Sequence, residues 1–372
     1  MTGQRKIRVA ILFGGQSAEH EVSILSARNV LAALDGARFE PVLIGIDKSG
    51  RWLTQDARKL LASAGDPRLV RVEDGALVPM GLDRAAPQAA WSVSGGAIDV
   101  VFPILHGTLG EDGTMQGLFE LAGIPYVGAG VLGSAIGMDK DVAKRLLRDA
   151  GIPVARFVTL RRDPFDADPT AACAGLASLG LPVFVKPANA GSSVGVRKVT
   201  DSRALEDAIR HAFGFDSKVL AEAVVAGREI ELAVLGGGDA PVASVAGEVV
   251  VQHPDGFYSY DAKYIDEHGA RLELPARITA DELARAQALA RRTFQVLECE
   301  GMARVDLFLK SDGSLLVNEI NTIPGFTAIS MYPKLWELSG IPPIALITRL
   351  IELALDRGRR RAALRRSVTG SS

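Results

Sequence analysis

Residues Gly301–Met331 read GMARVDLFLKSDGSLLVNEINTIPGFTAISM, and this stretch decides the fold of the C-terminal part of the chain. The apolar, β-branched runs ARVDLFL and LLVNEIN flank Asp312-Gly313, a dipeptide that favours a short hairpin turn. We expect Asp312 and Gly313 to fill a two-residue turn, so that Ser311 pairs with Ser314. The stretch therefore predicts an antiparallel β-hairpin.

The predicted hairpin brings four polar side chains to one face. Counting outward from the turn places Asp306 opposite Glu319. It also places Arg304 opposite Asn321, and since side chains alternate along a strand, both pairs share a face. Carboxylate and amide oxygens suit Mg²⁺ rather than zinc or copper, so we interpret the patch as a magnesium site. The alternative is a surface hairpin with cross-strand salt bridges, which the apolar runs and the Pro-Gly turn that follows disfavour.

Composition excludes several classes of protein. The chain has 372 residues, of which 48% are hydrophobic and 23% charged, as in a soluble globular protein with two or three domains. A formal net charge of −2 gives no electrostatic case for nucleic acid as the main partner. The two cysteines, Cys173 and Cys299, lack metal-binding spacing. Since no apolar run reaches roughly 18 residues and no signal peptide is visible, we expect no membrane association and a cytoplasmic location.

The N-terminal sequence predicts a doubly wound α/β domain. Ile7–Gly15 is an apolar strand that ends in two glycines, and a helix over residues 21 to about 34 follows, with Ser17 as its cap. Pro41–Asp47 is a second strand. Ligands of such domains bind at the carboxyl ends of the strands, which is where Glu19 lies. A carboxylate there also stabilises the helix dipole, so this segment alone leaves the role of Glu19 open.

A further buried strand runs into His106-Gly107, before a glycine-rich acidic loop and a helix from about Thr114 to Ala122. A histidine at the carboxyl end of a parallel strand can orient a small ligand. It can equally cap the loop, and the segment alone does not distinguish the two roles.

The middle of the chain carries a phosphate-loop pattern. A helix is expected over residues 131–150, and VKPANAGSSVG then joins two strands through glycines and serines. Backbone N–H groups of such a loop, which includes Ser192 and Ser193, can wrap phosphate oxygens. Lys186 supplies a positive charge at its start. The alternative is a flexible linker, which a Lys-Pro pair between buried strands disfavours.

Carboxylates on the next two strands complete a candidate nucleotide site. Glu222 lies on Val219–Val225, and Glu229 and Glu231 share a face of Arg228–Gly237. These side chains could hold an adenine amino group and a ribose diol. The alternative is the polar face of a half-exposed strand, which fits Glu231 best.

A polar, tyrosine-rich loop follows at His253–Gly269. Long loops of this kind in compact domains are typical of lids. Amphipathic helices are predicted over residues 279–297 and 341–353.

Taken jointly, the motifs resemble those of the D-alanine–D-alanine ligases of bacterial cell-wall synthesis, which belong to the ATP-grasp superfamily. The matching segments are, in chain order, SAEHEVS, HGTLGEDGTMQG, MDK, VKPANAGSSVG, FYSYDAKY, ARVDLFL and NEINTIPGFTAISMYPKLW. The resemblance covers nearly the whole chain and implies an α/β ATP-grasp fold. It implies an N-terminal doubly wound parallel-sheet domain for substrate (1–128), a central ATP-grasp subdomain with the phosphate loop (129–226), and a C-terminal ATP-grasp subdomain with metal site and lid (227–372).

The resemblance also implies roles for individual residues. The ATP-binding positions are Lys140, Lys186, Ser193, Glu222, Ala223, Val225, Glu229 and Lys263. The ligands of two Mg²⁺ ions, with Mn²⁺ as an alternative ion, are Asp306, Glu319 and Asn321. The catalytic set is Glu19, Ser192, Tyr264, Arg304, Gly325 and Ser330, and the substrate-binding set is Glu19, His106, Arg304, Gly325, Ser330 and Met331. Many relatives have leucine at the position of Met331, which is similar in volume.

The implied activity is ATP-dependent joining of two D-alanine molecules through a D-alanyl phosphate intermediate, for peptidoglycan precursors. The resemblance also implies a homodimer. One alternative is a ligase with D-lactate or D-serine as second substrate, and Tyr264 weighs against D-lactate. Another alternative is a catalytically silent nucleotide-binding protein, which the intact Arg304, Asp306, Glu319 and Asn321 disfavour.

Overall fold

A computed structural model describes residues 5–62, 70–78, 92–93, 96–237, 240–251 and 270–365. Its strands form three main sheets of four, four and five strands and one two-stranded ribbon. The sheets follow one another along the chain and helices pack on them, which confirms the predicted α/β class. The predicted lid at His253–Gly269, with Lys263 and Tyr264, lies outside the described residues.

The first sheet is parallel at its centre, as predicted. It contains β1 (Ile7–Gly14), β2 (Phe39–Ile46), β3 (Trp52–Gln55) and β6 (Val100–Ile104) in the order β3-β2-β1-β6, with the edge strand β3 antiparallel. The short strands β4 (Ser92–Val93) and β5 (Gly96–Ala97) form the ribbon, and the helices of this part are α1 (His20–Ala32), α2 (Ala57–Ala62) and α3 (Thr114–Ala122). Alternate residues of β1 pack in separate apolar clusters with α1 and α3, so both faces of the sheet are covered.

The expectation that Ser17 caps the first helix is wrong. Glu19 is the residue that precedes the first turn of α1, and Ser17 Oγ instead donates to the carbonyl of His106 at 2.7 Å. Parallel neighbours end at the same edge of a sheet, so the turn after β1 meets the end of β6 there. Ser17 therefore joins two loops at the edge where ligands of such domains bind.

The second sheet is antiparallel. It contains β7 (Phe157–Arg161), β8 (Val183–Pro187), β9 (Arg197–Val199) and β10 (Lys218–Ala223) in the order β7-β10-β8-β9. The single helix expected over 131–150 is two helices, α4 (Val131–Met138) and α5 (Lys140–Asp149). They separate at Asp139 because its carboxylate caps α5, accepting the backbone N–H of Val142 at 3.0 Å. The other helices here are α6 (Arg162–Ala167), α7 (Pro169–Ala174) and α8 (Leu205–Ala212), with 3₁₀ turns at Ala177–Leu179 and Ser202–Ala204.

The third sheet carries the predicted hairpin. It contains β11 (Arg228–Gly236), β12 (Val242–Val251), β13 (Ala270–Glu273), β14 (Gly301–Leu309) and β15 (Leu315–Asn321) in the order β13-β12-β11-β14-β15. One face packs against α9 (Ala280–Val296), a helix that the sequence predicted over residues 279–297. The other face packs against α10 (Met331–Leu338), which the sequence analysis did not identify. The last helix, α11 (Pro343–Ala362), extends well beyond the predicted end.

The hairpin turn has three residues, so the predicted pairing of Ser311 with Ser314 is wrong. Lys310 pairs with Ser314 instead, donating its N–H to the Ser314 carbonyl at 2.9 Å, and Gly313 has a φ of 77°. Three-residue loops of this kind place glycine in the left-handed region. The change shifts the register by one residue next to the turn.

A β-bulge at Asn318 restores the register further along. Leu307 lies opposite Val317, but Asp306 lies opposite Glu319, because Asn318 is an extra residue on β15. The predicted pairings of Asp306 with Glu319 and of Arg304 with Asn321 are therefore confirmed, although the turn from which they were counted is different.

The last helix links the first and third sheets. Arg357 of α11 is buried and donates to the carbonyls of Tyr126 and Gly128, each at 2.6 Å.

Within the described residues no single helix is long and apolar enough to cross a membrane. The consecutive helices α10 and α11 meet such a criterion only when joined, and they are bent by 106° at their junction.

Candidate active site

A connected polar network occupies one face of β14 and β15. Arg304 donates from Nε and a terminal nitrogen to the two carboxylate oxygens of Asp306, each at 2.7 Å. Asn321 Nδ2 donates to Asp306 Oδ2 at 3.0 Å. Asp306 is buried, so its charge is held by paired donors rather than by water.

Glu231 joins this network from the neighbouring strand. It lies opposite Asp306 on β11, is 7% exposed, and its Oε2 is 3.0 Å from Arg304 Nε. Burial lowers the pKa of Arg304, but Asp306 and Glu231 more than offset this, so that pKa lies well above its usual value. The sequence analysis left Glu231 open between a nucleotide-binding role and the polar face of a half-exposed strand, and the structure buries it.

The hairpin face supplies only oxygen donors of the kind that Mg²⁺ binds. Among the residues that the structure describes, no group of three or more His, Cys, Asp or Glu side chains is arranged as a complete metal site. The predicted ligands Asp306, Glu319 and Asn321 are two carboxylates and an amide on paired positions. Mg²⁺ commonly uses one or two carboxylates and takes its remaining ligands from substrate phosphates and water. The donor set therefore fits an ion that arrives with a nucleotide.

Two lysines enclose Glu222, one of the predicted nucleotide-binding residues. Lys186 Nζ donates to Glu222 Oε1 at 3.2 Å, and Lys144 Nζ lies 3.0 Å from Oε2. Burial raises the pKa of Glu222, but the two lysines outweigh it and hold the pKa below its usual value. Burial also lowers the pKa of Lys144.

The sequence analysis did not identify Lys144, which links this cluster to the hairpin. Its Nζ donates to the carbonyl of Asn318, the bulge residue, at 2.9 Å. Lys144 lies four residues after Lys140 on α5, so both side chains are on one side of the helix. That spacing within MDKDVAK was the available signal.

Lys140 lies between the glycine-serine loop and the hairpin. Its Nζ donates to the carbonyl of Ala190 at 2.8 Å and is 3.6 Å from Glu319 Oε2. The loop is held at its base by Asn189, whose backbone N–H and Nδ2 donate to Asp216 Oδ2 at 2.8 and 3.0 Å. The predicted phosphate-binding lysine and metal-binding carboxylate are thus neighbours.

The glycine-serine loop contacts the N-terminal part of the chain through Ser192. Its hydroxyl donates to Glu19 Oε1, which brings two predicted site residues together. Ser192 and Ser193 have φ values of 50° and 58°, in the left-handed region that residues other than glycine seldom adopt.

A second carboxylate, that of Glu111, lies near Glu19. The sequence analysis did not single it out from the acidic loop. Its Oε1 accepts the backbone N–H of Gly107 at 2.8 Å. Desolvation and the neighbouring charge of Glu19 raise the pKa of Glu111 to about 8. A carboxyl group that keeps its proton at neutral pH can donate as well as accept a hydrogen bond.

His106 holds the segment after β15 against the first sheet. The carbonyl of Ile323 lies 3.0 Å from Nδ1, so Nδ1 is the donor, and Nε2 lies 3.3 Å from Ser26 Oγ. Ser26 Oγ in turn accepts the N–H of Phe326 at 3.1 Å. Nδ1 thus holds Ile323 directly and Nε2 holds Phe326 through Ser26, so both sides of Gly325 are fixed and its backbone is located.

The remaining predicted residues lie around this centre. Ser330 Oγ accepts the N–H of Thr327 at 2.9 Å, and Met331 begins α10. A Cβ at Gly247 would lie 2.4 Å from Met331 Sδ, so the thioether packs directly on the third sheet. Ala223 ends β10, and Val225 lies two residues beyond it. Glu229 lies opposite Phe308, on the same face as Glu231.

Comparison with known proteins relates this arrangement to a single family. The family model "D-ala D-ala ligase N-terminus" matches residues 8–129, and "D-ala D-ala ligase C-terminus" matches residues 146–352. D-alanine–D-alanine ligase A of Chromobacterium violaceum is 56% identical over 366 residues, 97% of this chain and 99% of that protein. The solved D-alanine–D-alanine ligase of Coxiella burnetii is similar with a TM-score of 0.83 and 39% identity, over 96% of this chain and 97% of that one. The VanG D-Ala:D-Ser ligase of Enterococcus faecalis has a TM-score of 0.82 and 36% identity, over 94% and 100% of the two chains.

We expect Glu111 to make stability depend on pH. In the folded protein its carboxyl group keeps a proton up to about pH 8, whereas in the unfolded chain it ionises near its ordinary value of 4.5. Between these values the folded state holds more protons, so stability falls as pH rises, by at most about 1.4 kcal/mol per pH unit.

Glu111→Gln removes this contribution. The stability of wild type relative to Glu111→Gln, from urea unfolding midpoints between pH 5 and 9, should therefore decline toward pH 8 and then level off. A difference that is flat or grows with pH would contradict the assignment.

Proposed function

Because the chain belongs to the family of D-alanine–D-alanine ligases, we propose that it joins two D-alanine molecules into D-alanyl-D-alanine at the expense of ATP, which becomes ADP and phosphate. The product serves peptidoglycan precursor synthesis. The protein is a ligase with the ATP-grasp fold. The observation that carries the proposal is that two lysines of α5 contact the hairpin of β14 and β15. Lys140 Nζ lies near Glu319, and Lys144 donates to the carbonyl of Asn318.

The nucleotide is proposed to bind between the second and third sheets. Lys140, Lys186 and the backbone near Ser193 would contact its phosphates, and Lys263 of the lid would reach the transferred one. Glu222 and Glu229 would hold adenine and ribose, with the backbone of residues 223–225 facing the base. Glu222 already lies between two lysines, so its carboxylate is fixed before any ligand arrives.

Asp306, Glu319 and Asn321 would hold two Mg²⁺ ions, or Mn²⁺, together with the phosphates. Bound there, the ions would neutralise charge on the phosphoryl oxygens. Lys140 adds a positive charge of the protein's own at the same place.

The chain's residues then position two substrates. Glu19 would receive the ammonium group of the first D-alanine, whose carboxylate takes the phosphoryl group of ATP to give an acyl phosphate. The free amine of the second D-alanine attacks the acyl carbon, and phosphate leaves. Arg304 and the Gly325 N–H would stabilise the oxyanion of the tetrahedral adduct, and losing one such donor typically costs about 10²–10³ in rate. His106 locates the Gly325 segment, and Ser330 with Met331 would seat the second carboxylate.

Acyl phosphates hydrolyse, so water must be excluded during the reaction. We propose that Tyr264 closes the lid over the contact between Ser192 and Glu19. That contact joins the proposed substrate domain (1–128) to the central subdomain (129–226), and the lid belongs to the C-terminal one (227–372).

The wider setting is also proposed. We infer a cytoplasmic homodimer without nucleic-acid or membrane partners. We also propose D-alanine rather than D-serine as the second substrate, since the relative that is 56% identical over nearly the whole chain is named D-alanine–D-alanine ligase A.

The purified protein with ATP and Mg²⁺ should convert D-alanine to the dipeptide, with little turnover of L-alanine. The ammonium group, the carboxylate and the reacting carbon are fixed separately, and three fixed points distinguish enantiomers. Phosphate and dipeptide are measured with each alanine alone, and with D-alanine paired with D-serine or D-lactate. Equal use of the enantiomers would contradict the proposal, and the absence of any turnover would favour a silent nucleotide-binding protein.

Asp306→Asn should lower dipeptide synthesis at least about 100-fold, because it removes a metal-binding charge while keeping the shape of the side chain. The control is Asp281→Asn, an exposed position on α9 that should keep wild-type activity. Activities are compared across Mg²⁺ concentrations, with thermal melting as the check on folding. Wild-type activity of Asp306→Asn at limiting Mg²⁺ would remove this residue from the site.

A further inference from the structure

Three carboxylates lie in a row across the third sheet. Glu231 on β11 lies opposite Asp306 on β14, which lies opposite Glu319 on β15. Arg304 contacts two of them, with its Nε 2.7 Å from Asp306 Oδ1 and 3.0 Å from Glu231 Oε2. A single guanidinium nitrogen is therefore shared between two carboxylates.

The two partners of Arg304 differ in what else they are expected to do. Asp306 is a proposed metal ligand, and a metal ion competes with Arg304 for its oxygens. Glu231 is not among the proposed metal ligands, and its Oε2 lies 3.0 Å from Arg304 Nε. Its side chain is 9% exposed, so an unbalanced charge there is costly, and Arg304 supplies the balance.

We propose that Glu231 is a positioning residue that holds the Arg304 guanidinium in place when Asp306 turns to the metal. This inference rests on the proposed function. Without Glu231, Asp306 would be the remaining carboxylate bonded to Arg304 among the residues that the structure describes. With Glu231, the guanidinium keeps an anionic partner whether Asp306 contacts Arg304 or the metal. Once Asp306 contacts the metal, the terminal nitrogens of Arg304 are available to the developing oxyanion.

The inference predicts which step of the reaction depends on Glu231. In the proposed reaction, phosphorylation of the first D-alanine would depend chiefly on the lysines and the metal, whereas the oxyanion of the adduct with the second D-alanine would depend on Arg304. Loss of the Glu231 charge should therefore spare acyl phosphate formation and slow dipeptide formation.

The chain offers a matched control on the opposite face of the same sheet. Glu248 is also 7% exposed and pairs with an arginine, Arg228, at 2.8 Å. Glu248 lies opposite Ile230, whereas Glu231 lies opposite Gly247, so the two carboxylates point to different faces. Glu248→Gln removes the charge of a buried carboxylate that pairs with a partly exposed arginine, without touching the site.

The experiment compares Glu231→Gln and Glu248→Gln with wild type. Acyl phosphate is trapped with hydroxylamine as the hydroxamate, dipeptide synthesis is followed separately, and Mg²⁺–ADP binding is measured by calorimetry. We expect Glu231→Gln to lower kcat for the dipeptide by about 10–100-fold, the usual effect of losing an orienting partner, with hydroxamate formation and Mg²⁺–ADP affinity unchanged. Glu248→Gln should match wild type in all three measurements.

Glu231→Asp keeps the charge on a shorter side chain and should retain more dipeptide synthesis than Glu231→Gln, which provides a second variant if the latter folds poorly. Weaker Mg²⁺–ADP binding by Glu231→Gln would make Glu231 a metal ligand and overturn the inference. So would an unchanged dipeptide rate, or an equal loss in Glu248→Gln. If wild type makes no dipeptide, the proposed function fails and this inference with it, whereas wild-type synthesis with an unaffected Glu231→Gln overturns the inference alone.

Discussion

The pairing register between β14 and β15 is the constraint on which the candidate site depends. A shift of one residue would turn Glu319 and Asn321 to the opposite face of the sheet, where α9 packs. The three-residue turn introduces such a shift, and the bulge at Asn318 reverses it. Lys144 binds the carbonyl of Asn318, so the residue that corrects the register is also held by the lysine that pairs with Glu222.

Buried charge makes this arrangement specific. The charge of Glu222 is tolerated in the interior because Lys144 and Lys186 lie at its two oxygens. The charge of Asp306 is tolerated because Arg304 and Asn321 donate hydrogen bonds to it. A buried ion pair adds little net stability, but removing one partner is strongly destabilising. Each charged group therefore fixes its neighbours, and the site is pre-organised before ligands bind. Pre-organised charge is the main contribution that a protein makes to phosphoryl and acyl transfer.

The sequence predicted the site residues whose placement depends on local pattern. It did not predict those whose placement depends on contacts between distant elements. The apolar runs of the hairpin and the helix α9 were predictable because periodicity and turn chemistry are local. The pairing of Asp306 with Glu319 was predicted from a turn one residue too short, and it held because the bulge compensated. The role of Glu231 was left open and Glu111 was not singled out, since only the packing of other elements shows that Glu231 meets Arg304 and that Glu111 lies near Glu19. The loop of Lys263 and Tyr264 stays a prediction.

The position of the bound metal tests the account most directly. Crystals grown with ADP and Mn²⁺ would reveal the ion by its anomalous scattering. The account predicts anomalous peaks bonded to oxygens of Asp306, Glu319 and Asn321, with Arg304 still beside Glu231. Peaks that contact none of those three side chains would contradict the claim that the register of the hairpin builds the metal site.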